Sequence, residues 1–596
     1  YNSTVFGPSV GSVFDQWTLN FKDTLTKVQG SHNLKFGGQA TRLAYLDEPT
    51  WDEEPTYYFN NLWDFINDAP SSESGTFDPT TGKPSAFRKD DREQLFAFFA
   101  QDDWKVRPNL TVNIGLRWEY FGGMTEKYGH EPNLRLGSGA NTLTDIKFVL
   151  GGSQVNAPKF NFGPQIGFAW SPERNNGKLV IRGGFGVGYT GLEMAITTNT
   201  RNNPPYLASS GTLTGSQILY ATADNLYSFG AFPANSAMVT DFNSNNLPTA
   251  NVQLSVTGLP NDLRTAYVYR YSLEGQYDLG NRWVATLGYN GSTGHHLPMQ
   301  TNLNNKLATK VIAGEMSYNP KLNFIDWYED SANSNFNALQ AELQHQFAHS
   351  FQVDAQYKWS RAMDSASNAY GTPDYEFLPG YNWGPSLWDS RNAIKLWGLW
   401  SPVIFHGEHN WMEKVAGGWS FSAIMNWHSG FPFNPTYNSN CAVTSTSGAC
   451  SFRPSAYSGD AGTSQSTDTF KKANGNFTDG GSTYFTMPVQ PVGTTWPTDG
   501  TAPTPGALPS VPGTKRNAFY GPRYWDTDFT ATKAFGLPHM KVLGENARFE
   551  IRANAYNLFN QLNLSSVDST ITDSHFGRAN TVLGSRTIEM EAHFKF

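Results

Sequence analysis

Apolar and polar residues alternate with a period of two along five separate stretches of this chain, and nothing else constrains its fold as strongly. Between residues 109 and 120, Leu110, Val112, Ile114, Leu116, Trp118 and Tyr120 interleave with Thr111, Asn113, Gly115, Arg117 and Glu119. Phe351, Val353, Ala355, Tyr357 and Trp359 repeat the pattern, as do Tyr267, Tyr269, Tyr271, Leu273 and Tyr277, and then Trp419, Phe421, Ala423, Met425 and Trp427. The cleanest series is the last: Ile588, Met590, Ala592, Phe594 and Phe596 against Thr587, Glu589, Glu591, His593 and Lys595. In a strand, successive side chains point to opposite faces, so each stretch reads as a strand with one apolar and one polar face.

The pattern predicts an all-β chain of about fifteen strands, near 15–28, 32–46, 92–106, 109–121, 161–172, 178–190, 265–279, 282–292, 335–348, 351–362, 389–402, 416–429, 523–535, 546–558 and 585–596. Their connections alternate in length. Short turns fall at Gln29–Ser31, Arg107–Pro108, Glu173–Gly177, Gly280–Asn281 and Ala348–Ser350, with slightly longer ones near 403–415 and 536–545. Long loops fall near 47–91, 122–160, 191–264, 293–334, 363–388, 430–522 and 559–584. Short turns on one rim and long loops on the other describe a transmembrane antiparallel β-barrel. A propeller would repeat every 40 to 50 residues or so, and no such repeat is present. Trp118, Tyr120, Trp359, Trp400 and Trp427 near strand ends suit the aromatic belts of the two bilayer interfaces, with ordinary strand packing as the alternative.

Composition agrees. Aromatic residues make up 14% of the 596 residues and charged residues only 16%, and the 56 glycines disfavour helices. The longest apolar run, Leu95 to Ala100, is far short of the roughly 20 residues a membrane-spanning helix needs. A net charge of −8 without a Lys/Arg stripe gives nucleic-acid binding no electrostatic support. Cys441 and Cys450, the only cysteines, lie close together in a Ser/Thr/Gly-rich loop and read as one local disulfide. A reduced pair or a half-built metal site is the alternative.

Motifs for chemistry are sparse. Gly186, Gly188 and Gly191 match G-x-G-x-x-G but lie within a strand-like run with no acidic residue about 20 positions on, so strand glycines are the better reading. His295 and His296 lack a carboxylate at metal-ligand spacing and read as a solvated loop pair. No hydrolase, metalloprotease or NTPase motif appears; the chain reads as a non-enzyme with no cofactor. Both charge signs occupy the polar strand positions (Arg117, Glu119, Arg270, Glu274, Asp354, Lys358, Glu550 and Arg552), where wall-to-wall pairing in the lumen is expected. Two long loops carry aromatics beside carboxylates: Trp51, Tyr57, Tyr58 and Trp63 in one, Tyr375, Tyr381, Trp383 and Trp388 in the other. These are the candidate ligand contacts, although packing against neighbouring loops is the commoner fate of such residues.

The stretches FAFFAQDDWKVRPNLTVNIGLRWEY (96–120), NFGPQIGFAWSP (161–172), GGFGVGY (183–189), SRAMDSAS (360–367), DSRNAIKLWGLW (389–400), GGWSFSAIMNWHSGFPFNP (417–435) and RFEIRANAYNLFNQLNL (548–564) resemble the barrel of Oar-like TonB-dependent receptors, whose chains often begin with a carboxypeptidase-regulatory-like domain. The resemblance runs from about residue 15 to Phe596. It implies a 22-stranded barrel in the Gram-negative outer membrane, of which this chain would supply the C-terminal portion from the eighth strand. It also implies a plug in the lumen and energy delivered by the TonB complex. The final strand, ending in Phe596, resembles the signal read by the barrel assembly machinery. Plug, TonB box and accessory domain are not in this sequence. Both ends of a bacterial barrel lie in the periplasm, so an odd strand count also predicts at least one strand upstream. Function is then expected to be uptake of an unidentified extracellular substrate bound by the long loops. A surface-adhesion protein and a passive porin-like channel are the rivals.

Overall fold

The computed structural model describes residues 13–48, 55–67, 70, 72–210, 238–250, 252–368, 373, 375–403, 411–440, 449–457, 485–486, 511–536, 547–571, 573, 576–579 and 581–595. Fifteen long strands form an antiparallel wall in which each pairs with its neighbour in sequence. They are β1 (Val13–Gln29), β2 (His32–Glu48), β3 (Lys89–Arg107), β4 (Leu110–Phe121), β5 (Asn161–Trp170), β6 (Leu179–Thr190), β7 (Ala266–Gly280), β8 (Trp283–Asn302), β9 (Leu322–Ala348), β10 (Phe351–Asp364), β11 (Asn392–Trp400), β12 (Trp419–His428), β13 (Tyr524–Gly536), β14 (Arg548–Tyr556) and β15 (Thr587–Lys595). Every predicted strand is present. Among the described residues, β1 bonds only to β2 and β15 only to β14.

The register explains the alternation. Across β4, β5 and β6, Ile114 faces Ile166 and Ile166 faces Phe185, so these side chains share the outer face. Gly115, Gln165 and Gly186 share the inner one. The outer face stays bare: Ile166 is 53% exposed and Met590 75%. An apolar surface running round a whole wall is untenable in water, and it matches the hydrocarbon of a bilayer. Among the described residues no helix is long and apolar enough to cross a membrane. Aromatics bound this band. At one level lie the stacked pairs Phe96–Tyr120 and Phe98–Trp118, and at the other the stacked pair His32–Trp104 and the tilted pair Trp400–Phe421. Strand β3 runs from Trp104 to Phe96 between them, close to the 9–11 residues or so that a tilted strand needs to cross.

Turn chemistry fixes the short rim. Asn281 (φ 49°) with Arg282 (φ 65°), and His349 (φ 50°) with Ser350 (φ 71°), have two successive left-handed residues, the backbone of a type I′ hairpin turn.

The largest departure from the sequence reading is at β8 and β9. The alternation predicts strand ends near 292 and 335, but the hairpin climbs ten or more residues further on each side, to Asn302 and from Leu322. Bulges at Gly294/Leu297 and Leu297/Met299 break its register, and Leu254–Gly258 adds a parallel strand against Leu322–Trp327. This extension stands above the bilayer, where both faces meet protein. No lipid-facing periodicity is therefore required, and none is visible. His295 and His296 belong to this strand and not to a loop.

The long connections pack into a layer with its own interior. Phe77, Leu143, Ile146, Val252, Ala308 and Phe377 come from five different loops and share one buried cluster. Phe485, Phe519, Ile571 and Phe576 form a second from the remaining two. Ile146 is fully buried, so Ile146→Ala is expected to cost the loop layer about 2–5 kcal/mol through lost burial and a cavity. Faster protease cleavage within 122–160, with the wall still folded, is the expected reading.

Candidate functional site

Inside the wall, polar side chains pair across and along strands. Arg117 Nε meets Glu119 Oε1 at 2.8 Å, and Arg182 Nη1 meets Glu274 Oε1 at 3.2 Å. Glu550 receives both Arg548 Nε at 2.8 Å and Lys595 Nζ at 2.7 Å, and Arg552 lies 3.8 Å from Glu591. The expected wall-to-wall pairing thus holds for Arg117, Glu119, Glu274, Glu550 and Arg552. Glycines floor a recess of about 820 Å³ in this inner face: Gly115, Gly167, Gly184, Gly186 and Gly188 alternate with Gln101, Asn113, Arg182 and Arg270. Gly186 and Gly188 therefore smooth a lumen wall. A Cβ on Gly191 would come within 2.8 Å of the Phe121 ring, so that glycine lets the chain leave the wall beside an aromatic.

At the outer mouth, β8 and the inward-facing ends of β3, β4, β6, β7, β9 and β10, with the loops above them, line a half-open cavity of about 370 Å³. Glu93, Phe121, Thr190, Ala266, Ser334 and Asp364 come from the wall, and Leu192, Leu263, Arg264 and Ser367 from the loops. Arg264 grips Asp330 through Nε at 2.6 Å and Nη2 at 3.2 Å, and its backbone N–H donates to the same carboxylate at 2.9 Å. This holds Asp330 below the ordinary carboxylate range despite its burial. Asp364 is paired with Arg516. Burial first, and the Arg264 charge second, hold His296 below its ordinary value. Glu93, three residues outward of the Phe96 belt, is pushed up to about 7 by burial.

Beside this cavity a buried ionic cluster fastens the loops to the wall. Lys89 and Asp91 are fully buried on β3; Lys89 Nζ sits 2.6 Å from Glu131 and 3.6 Å from Asp91, and donates to Thr197 O and Thr200 Oγ1, each at 2.9 Å. Asp47 on β2 takes Arg201 at 3.1 Å. Both carboxylate oxygens of Asp91 lack a hydrogen-bond partner among the described residues. Burial above all, with Glu131 and Glu126 adding like charge against the pull of Lys89, pushes Asp91 up to about 7. The unfolded carboxyl titrates at its ordinary 3.8, so the folded layer holds the extra proton. That stabilisation is complete below the lower value and is lost as pH rises through about 7. Protease resistance of residues 122–160 is expected to fall between roughly pH 4 and pH 7, and Asp91→Asn to flatten the profile.

The loop aromatics expected as ligand contacts are scattered. Tyr375 is 2% exposed, its ring packed on Phe377 and Tyr381 within the loop core, and it offers no surface to a ligand. Tyr57 is half-buried, whereas Tyr58, Trp63, Tyr381, Trp383 and Trp388 are exposed. Trp51 lies outside the described residues, as do Cys441 and Phe596, and of Cys450 only its place in Ala449–Phe452 is described. Ile588, Met590, Ala592 and Phe594 line the outer face of β15, opposite Ala555, Ala553, Ile551 and Phe549 of β14.

These features define a class: a transmembrane antiparallel β-barrel wall with a polar lumen and a folded outer loop layer. The chain belongs to the outer membrane beta barrel domain family, whose profile matches residues 2–589, and its location is the outer membrane. No curated protein matches it in sequence. Among solved structures it is similar to the outer membrane transporter YddB from Escherichia coli, at TM-score 0.49 and 10% identity over 97% of this chain and 54% of that one. The siderophore receptor PirA from Acinetobacter baumannii gives TM-score 0.45 and 12% identity over 98% and 55%. The chain spans about half the length of these structures, and the likeness concerns fold alone.

Proposed function

We propose that this chain is part of the wall and outer loop layer of a TonB-dependent receptor of the Oar-like kind, one that captures an extracellular solute at its mouth and passes it inward through the lumen. The observation that carries the reading is the junction of the two: a half-open cavity lies where the folded loop layer meets the inner face of the wall. A membrane anchor for adhesion needs loops but no cavity opening toward a lumen. Among the described residues β1 and β15 each pair along one edge only, and an unpaired strand edge is costly in hydrocarbon. A lumen-filling plug coupled to the TonB complex supplies the gate, and the assembly machinery engages β15.

Uptake by cells carrying the full-length receptor tests this. Uptake is expected to stop when TonB is deleted and when the loop layer is destabilised. Steady conductance of the purified receptor without TonB would instead make it a passive channel. Surface attachment that vanishes on deleting 430–522, with no solute taken up, would make it an adhesin.

A further inference from the structure

The outer-mouth cavity has one electrostatic feature that its packing does not explain. Of the carboxylates facing it, Asp330 is clamped by Arg264 and Asp364 is paired with Arg516. Glu193 stands exposed at the rim, where water screens it. Glu93 is different: it is half-buried, and among the described residues it has neither hydrogen-bond nor ionic partner. It shares its inward face with Asp91, Ala97 and Phe99 on β3, so its carboxyl is directed to the lumen side and lines the cavity. Around it the walls are largely apolar: Phe121, Met124, Leu192, Leu263, Leu297 and Pro298. At about 370 Å³ the space is at the small end of ligand pockets, which run from roughly 300 to 1,000 Å³.

A lone carboxylate in an apolar cup has two ways to lower its free energy: to take up a proton, or to pair with a cation. Anions are disfavoured, because Arg264, the only guanidinium lining the cavity among the described residues, is already committed to Asp330. Burial and then the Arg264 charge hold His296 below its ordinary value, which disfavours a positive charge there. We propose that this cavity is a binding site for a small organic cation, an ammonium or guanidinium group on an apolar body, with Glu93 as its counter-ion. The charged head sits against Glu93 and the apolar body against Phe121, Leu263 and Leu297. This deepens the receptor reading by naming the chemistry of its ligand. Binding is nevertheless measurable without transport.

The test is calorimetric titration of the purified full-length receptor with 2-phenylethylamine and with 3-phenylpropionate, which carries the opposite charge on a similar body. The amine is expected to bind and the carboxylate not. Glu93→Gln, nearly isosteric, is expected to weaken the amine by about 10- to 100-fold, the worth of one charge-assisted hydrogen bond. Glu93→Asp, which keeps the charge, is expected to retain most of the affinity and so separates charge from misfolding. Amine affinity is expected to climb between about pH 5.5 and about pH 8 as Glu93 loses its proton. Absence of amine binding, amine binding that Glu93→Gln leaves intact, a flat pH profile, or preference for 3-phenylpropionate would each overturn the proposal. Glu93-dependent binding without TonB-dependent uptake would sink the receptor reading alone, and uptake without such binding would sink only this one.

Discussion

Ile166→Arg is expected to destabilise the wall by roughly 2–4 kcal/mol when the protein is folded into phospholipid vesicles and unfolded with urea. Ile166 lies midway along β5, between Phe162 beside Trp118 at one belt and Trp170 at the other, and its side chain is bare on the outer face. A guanidinium there must shed water into hydrocarbon or thin the bilayer around itself. The neighbouring Gln165→Arg puts the same group on the lumen side, where it lines the polar recess. Its expected cost is small. The contrast between adjacent residues is the informative quantity, because a soluble sheet of the same strands would tolerate both changes on an exposed surface.

Lys89→Met is the second large effect. Its ammonium is fully buried and lies between Glu131 and Asp91, so removing it leaves buried carboxylate charge without compensation. Breaking one side of a buried ionic cluster costs about 3–5 kcal/mol. Here the loss falls on the loop layer, since the ammonium also holds Thr197 and Thr200 of the 191–264 connection. Amide exchange in residues 122–160 and 191–203 is expected to quicken sharply while the β4–β7 wall stays protected. Adding Asp91→Asn to Lys89→Met is expected to recover part of the loss, since one uncompensated carboxylate is then gone.

The wall was legible in the sequence because lipid imposes a simple rule on it. Each membrane-crossing strand must show hydrocarbon an apolar residue at every second position, and Leu110 to Tyr120 or Ile588 to Phe594 obey that rule openly. Above the bilayer the rule lapses. The run GHHLPMQTN is strand in β8, yet neither of its faces meets lipid and its register is broken by bulges. The loop core was equally hidden. Its members, such as Phe77, Ile146 and Phe377, come from connections far apart in sequence and follow no common period. Tyr375 illustrates the consequence: composition alone cannot separate an aromatic that roofs a core from one that meets a ligand.

The outer-mouth site was half visible. Lys89, Asp91 and Glu93 continue the inward parity of Ala97, Phe99 and Gln101, so extending β3 by three residues would have placed all three on the lumen side. Which of them finds a partner depends on Glu131 and Thr200, and no local pattern reveals that.

Orientation is the claim on which the rest depends, and impermeant thiol labelling of intact cells measures it directly. With Cys441 and Cys450 replaced by serine, single cysteines are placed at Tyr128 and Trp388 on the long-loop rim and at Arg174 and Val403 on the short-turn rim, all exposed positions. A membrane-impermeant maleimide is expected to label Tyr128→Cys and Trp388→Cys on whole cells, and Arg174→Cys and Val403→Cys only after lysis. Labelling of the short-turn cysteines on whole cells, with the loop cysteines silent until lysis, would contradict it.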